Sequence, residues 1–121
     1  MSIKSFMFYE QKFFLSLLLT LIIEIPLVLF LVKYLFKQKE IKISKIVFAG
    51  FIASTLTLPY FWFILPIYIS SRGLYIYLGE TLIVFTEAII YNQFLELKFS
   101  RAFTASLVAN IISIIFGLII L

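Results

Sequence analysis

The chain has 121 residues, a formal net charge of +4, and neither cysteine nor histidine. Hydrophobic residues make up 64% and charged residues 13%, with a mean hydropathy of +1.16; a soluble domain is near half apolar and a quarter charged, so this chain lacks the polar surface to cover a globule in water. Its composition excludes disulfides, thiolate chemistry, zinc and haem sites and histidine acid–base work, and leaves any metal only oxygen ligands.

A membrane span needs about 20 predominantly apolar residues. Four segments meet that length: 13–36, 43–69, 74–97 and 102–121. The first carries Ser16, Thr20 and Glu24 at spacings that place them on one helical face, with Pro26 close behind. Its apolar run is too long for a signal peptide and no small-x-small site follows, so it is read as a retained helix. The link "KQKEIK" leads to the second span, where Gly50, Ser54 and Thr57 share a face and Thr55 stands near Pro59. After "SSRG" comes the third, containing "YLGETLIVFTEAIIY" at 77–91. Here Glu80 and Glu87 are two turns apart on one face, and Tyr91 lies one turn beyond Glu87. The link "KFSR" precedes the fourth, with a stripe of Ala102, Ser106, Asn110, Ser113 and Gly117. Short links between long helices make neighbours antiparallel. The expected fold is an all-α, single-domain integral membrane bundle of four transmembrane helices over 1–121, up-down-up-down, with polar faces inward.

The basic residues border the apolar spans and form no patch on a soluble fold, so no nucleic-acid partner is expected. Lys4, Lys12 and Arg72 lie on the side of the N-terminus and second link; Lys33, Lys37, Lys39, Lys42, Lys45, Lys98 and Arg101 lie on the other. The positive-inside rule places the richer side in the cytoplasm and both termini outside, which suits a multi-pass protein of the cell membrane. Phe8, Tyr9, Tyr60, Trp62, Tyr68, Tyr75 and Tyr77 then fit an outer interfacial belt, although an aromatic-rich composition gives the same ring.

An acidic residue at a helix centre costs roughly 2.5–3.5 kcal/mol on insertion scales, against about −0.3 to −0.6 for Leu, Ile, Phe or Val. Such a group faces the bundle interior or water, and is a functional candidate by default. At 1.5 Å per residue, Glu24 lies about 17 Å, Asn110 about 18 Å and Glu87 about 20 Å from the outer side, a shared layer near the midplane, with Glu80 about 10 Å further out. Two carboxyls in one dry layer do not readily both ionise, so one holds a proton or the two share a cation. Pro26 and Pro59 cannot bond the carbonyls of Ile22 and Thr55, which leaves acceptors for a cation, water or hydroxyl. The small residues of the fourth span are read as a helix-packing device, and "KQKEIK" as a topology signal.

Two partial resemblances attach to these residues. Four spans with a central glutamate in the first is similar in layout to the small multidrug resistance exporters, and on that resemblance Glu24 would be their proton- and drug-binding carboxylate. Their glycine- and tryptophan-bearing motif is absent here, and their third span is not acidic. The spacing of Glu80 and Glu87 resembles that of bacterial diacylglycerol kinase. That family's intervening Asn and following Asp are Ile83 and Tyr91 here, and it has three spans.

The first functional expectation is a small proton- or cation-coupled transporter or channel, not an enzyme and without a cofactor. Glu24 and Glu87 would take up and release a proton or small cation, Asn110, Tyr91 and Glu80 would attend them, and Thr55, Thr57 and Ser106 would line the route. A bundle this small has little room for a closed pathway, so a homo-oligomer or other membrane subunits are expected. The alternative is a noncatalytic subunit or assembly factor of a larger membrane complex. A lipid-modifying enzyme using carboxylate-bound Mg²⁺ is a minor third, since Glu80 and Glu87 supply few ligands and no nucleophile is evident.

Overall fold

A computed structural model describes residues 9–120. Among them the chain is all helical, and four helical rods are long and apolar enough to cross a membrane: Tyr9–Leu35, Ile43–Tyr68, Arg72–Leu95 and Phe99–Ile120. The first is α1 (Tyr9–Phe30) continued by a π-helical turn, Leu31–Leu35. The second is α2 (Ile43–Pro59), a π-helical turn at Tyr60–Ile64 and the short α3 (Leu65–Tyr68). The third is α4 (Arg72–Leu95) and the fourth α5 (Phe99–Ile120). Helix α1 packs on α2 and α5, and α4 packs on α2 and α5. Successive rods are therefore neighbours around a four-cornered ring.

The helices run past the apolar segments where caps allow. Helix α4 begins at Arg72 because Ser71 caps it, its hydroxyl accepting from the Leu74 amide at 3.5 Å. It ends where Glu96 turns left-handed, at φ 55°. The side-chain amide of Asn92 then donates to the Leu97 carbonyl at 2.6 Å, which closes the tight third link. In the first link, Lys33 donates to the Lys39 carbonyl at 2.8 Å and Lys37 takes φ 57°. The guanidinium of Arg101 lies 5.8 Å from the centre of the Phe36 ring, so the two links at this basic end are joined across the bundle.

The two ends of the bundle are built differently. Toward the basic end the interior is dry and close-packed: Val28, Val32, Ile46, Tyr91 and Leu95 meet Ala49, Ala53, Ala102 and Ala109. Small residues let the backbones approach, which is how membrane helices associate where lipid tails remove the hydrophobic drive. At Gly50 the approach is tight, since a Cβ there would stand 2.9 Å from Ile25 Cγ1. The packed stripe of α5 is Ala102, Ala105, Ser106, Ala109 and Asn110. Gly117, expected on that packing face, has open space where a Cβ would go. The stripe packs only over its inner half, because the bundle opens beyond Asn110.

Pro26 behaves otherwise than its position beside Glu24 suggested. Helix α1 runs through it, and Pro26 and Ile22 are both exposed, on the face away from the bundle. The unbonded Ile22 carbonyl is therefore no part of an interior site. Of the aromatic residues, Tyr60, Tyr68 and Tyr77 are exposed as a belt requires, and Phe8 lies outside the described residues. Tyr9 is exposed as well, and with the half-buried Trp62 and Tyr75 it ties rods together: the Tyr9 hydroxyl donates to the Trp62 carbonyl at 2.5 Å, the Tyr75 hydroxyl to the Phe61 carbonyl at 2.6 Å, and the Phe61 and Tyr75 rings stack at 4.8 Å.

Candidate functional site

At the end opposite the dry packing, the four rods enclose a chamber of about 650 Å³. Tyr9, Lys12 and Arg72 belong to its wall at the helix starts; Glu80 lies further in, and Glu24, Glu87 and Asn110 close its floor. The polar faces read from helical spacing thus converge, because each helix turns its few costly groups away from lipid.

Glu24 comes from α1 and is fully buried. Its Oε2 accepts from the Ser54 hydroxyl of α2 at 3.0 Å, and its Oε1 has no hydrogen-bond partner among the described residues. Glu87, from α4, is 1% exposed. Its Oε1 accepts from Asn110 Nδ2 of α5 at 2.6 Å, and its Oε2 lies 3.3 Å from Thr57 Oγ1 of α2. Both carboxyls line the same chamber.

Thr57 has one hydroxyl hydrogen and two oxygens in reach, the Ala53 carbonyl at 2.8 Å and Glu87 Oε2 at 3.3 Å. When the hydrogen serves Ala53, the contact with Glu87 is completed by a proton on the carboxyl, with the Thr57 oxygen accepting. The pair can therefore hold Glu87 in either protonation state by a hydroxyl rotation alone. Asn110 has a firmer seat: Nδ2 also donates to the Ser106 carbonyl at 2.8 Å. The Ser106 hydroxyl in turn donates to the Val84 carbonyl at 2.8 Å, clamping α5 to α4. Higher in the chamber wall, the Ser113 hydroxyl donates to Thr20 Oγ1 at 3.3 Å.

Of the residues singled out from the sequence, Glu24, Glu87, Asn110, Thr57 and the partly buried Glu80 line the chamber. Tyr91 is fully buried, and its enclosed hydroxyl has no partner among the described residues. It belongs to the packing below the floor. Ser106 lies buried in the α4–α5 contact and is absent from the wall. Thr55 is also absent from the chamber wall: its hydroxyl returns to the Phe51 carbonyl at 2.7 Å on its own helix. Ser54 was placed on the polar face of α2 but not in the site, and it is the direct partner of Glu24. Phe61, a chamber wall residue, gave no signal in sequence because its position depends on the π-helical turn.

Comparison with protein-family models, with curated proteins and with solved structures finds no match for this chain.

Proposed function

We propose that the protein is a small proton- or cation-coupled membrane transporter in which Glu24 and Glu87 carry the coupling charge. The observation that carries this reading is the combination at the chamber floor of a fully buried Glu24 with an unpartnered Oε1 and a Glu87 held by Asn110 and Thr57. A buried acceptor left open is costly unless something visits it. Glu80, partway up the wall, serves as the relay to the open end. In the proposed orientation both termini and the chamber mouth face outward and the basic end faces the cytoplasm. A second copy or another subunit would complete a path through the dry half.

The test is reconstitution in liposomes with proton and cation flux readouts. Glu24→Gln and Glu87→Gln preserve shape and remove titration; either should abolish flux while the protein stays folded. Flux at the native level in both variants would sink the transport reading. A second reading, a noncatalytic subunit or assembly factor, draws support from the Thr57–Glu87–Asn110 contacts, which join three helices and would serve as polar glue. It requires that Glu87→Gln be nearly silent and that Glu87→Leu weaken assembly.

A further inference from the structure

A second cavity, of about 510 Å³, lies between the second and third rods. Its wall includes Leu56, Tyr60, Ile64, Leu82 and Thr86. Leu56, Tyr60, Ile64 and Leu82 are exposed on the outer surface of the bundle. It shares Thr57, Phe61 and Ile83 with the carboxylate chamber. Consecutive residues of α4 mark the junction: Gly79 lines the outer crevice and Glu80 the inner chamber. Gly79 has no room for a Cβ, because the Phe61 ring lies against its backbone. An apolar slot that opens on the bilayer therefore meets a polar pocket at one aromatic ring.

We propose that the two cavities together hold one amphiphile drawn sideways from the bilayer, with its hydrocarbon tail in the crevice and an ammonium head in the chamber at Glu80. Three observations fix the chemistry. The crevice is faced almost wholly by apolar side chains, which suits a tail and no soluble metabolite. The chamber presents three carboxyl side chains, and Glu80, the one of them with appreciable exposed surface, offers its carboxyl to a positive group. Phe61 and Tyr75 both line the chamber, which gives it the aromatic character that suits an ammonium group. Lys12 and Arg72 stand at the mouth; Arg72 is two turns, about 12 Å, from Glu80. A phosphate in a zwitterionic head falls on that side, where long basic side chains reach down to it. This assignment names the substrate class for the proposed transporter and rests on that reading of the chamber.

The test uses the purified full chain stripped of lipid in a neutral maltoside detergent. It is offered phosphatidylethanolamine and phosphatidylglycerol with identical acyl chains, and bound lipids are counted by native mass spectrometry. One phosphatidylethanolamine per chain should be retained, with at least a tenfold preference over phosphatidylglycerol. Glu80→Gln should erase that preference. Thr86→Phe, which fills the crevice, should lose the lipid, while free phosphoethanolamine still changes the fluorescence of Trp62, the only tryptophan in the chain and a chamber wall residue. Should Thr86→Phe not fold, Leu56→Phe blocks the crevice from the opposite wall. Equal retention of the two lipids, or retention untouched by a filled crevice, overturns the proposal. Retention without any proton flux would leave the ligand assignment standing and remove the transport reading; flux without retention would do the reverse.

Discussion

Asn110→Leu gives the sharpest check on the chamber floor. The substitution keeps the branching of the side chain and removes the bonds it donates, to Glu87 Oε1 at 2.6 Å and to the Ser106 carbonyl at 2.8 Å, with a longer contact to the Ser106 hydroxyl at 3.4 Å. Their loss is unequal. The Ser106 carbonyl lies within a helix, whereas Glu87 Oε1 has no other donor, so the main cost is one orphaned buried acceptor, about 1–3 kcal/mol. Membrane interhelical bonds average nearer 0.6 kcal/mol, with a maximum of about 1.7, and the lower part of the joint range, about 1–1.7, is the expectation. Glu87→Leu should cost less, because both groups it abandons keep partners: Asn110 retains Ser106 and Thr57 retains Ala53. The double Leu variant should then resemble Glu87→Leu alone, giving a coupling of about 1 kcal/mol in a double-mutant cycle. Unfolding by graded addition of dodecyl sulfate to protein in mild detergent supplies the four free energies. A coupling within about 0.3 kcal/mol of zero, the margin of additivity, would refute the bond on which the floor is built.

Glycine substitutions should separate the packed end from the open one: Gly50→Leu drives a side chain into Ile25 and should cost about 1–3 kcal/mol, whereas Gly117→Leu enters open space and should change stability by under about 0.5 kcal/mol in the same unfolding assay. Tyr91→Phe removes a buried hydroxyl with no partner, so stability should hold or rise by about 1 kcal/mol; a marked loss would mean that the hydroxyl is bonded after all. For orientation, the chain has no native cysteine, so single cysteines report cleanly. One at Ser71 should react with an impermeant reagent added outside intact cells and one at Gln38 should be shielded, and the opposite pattern would invert the proposed topology.

Spacing alone brought Glu24, Glu87, Asn110 and Thr57 to one place, because in a lipid-facing bundle the expense of a polar side chain leaves it a single direction to point. The same reasoning overreached at Gly117 and at Pro26. A stripe of small residues shows that backbones can approach, but not how far along the helix they do, and the opening of the bundle beyond Asn110 is a property of four helices together. Pro26 is next but one to Glu24 in sequence and on another face in space, so proximity along the chain misled where phase would have warned. Thr55 and Thr57 are the same residue type, but two positions turn a helix by more than half a circle, so Thr57 shares the face of Gly50 and Ser54 and Thr55 turns away from it. Phe61 and the lateral crevice were illegible because they follow from the π-helical turn after Pro59, where an added residue per turn shifts the phase of everything beyond it.

The uneven packing of the two halves also sets where an electrical gradient is felt. With water in the chamber, little of a membrane voltage drops between the mouth and Glu24 or Glu87, and nearly all of it falls across the short plug of Val28, Val32, Ile46, Tyr91 and Leu95. A proton reaching the floor would therefore arrive at almost no electrical cost. One crossing the plug would take up close to the full potential, about 2.3 kcal/mol per 100 mV. The plug is, in that sense, the insulator of the molecule, and any step that moves charge past those few side chains would be driven by voltage even where binding at the floor is not.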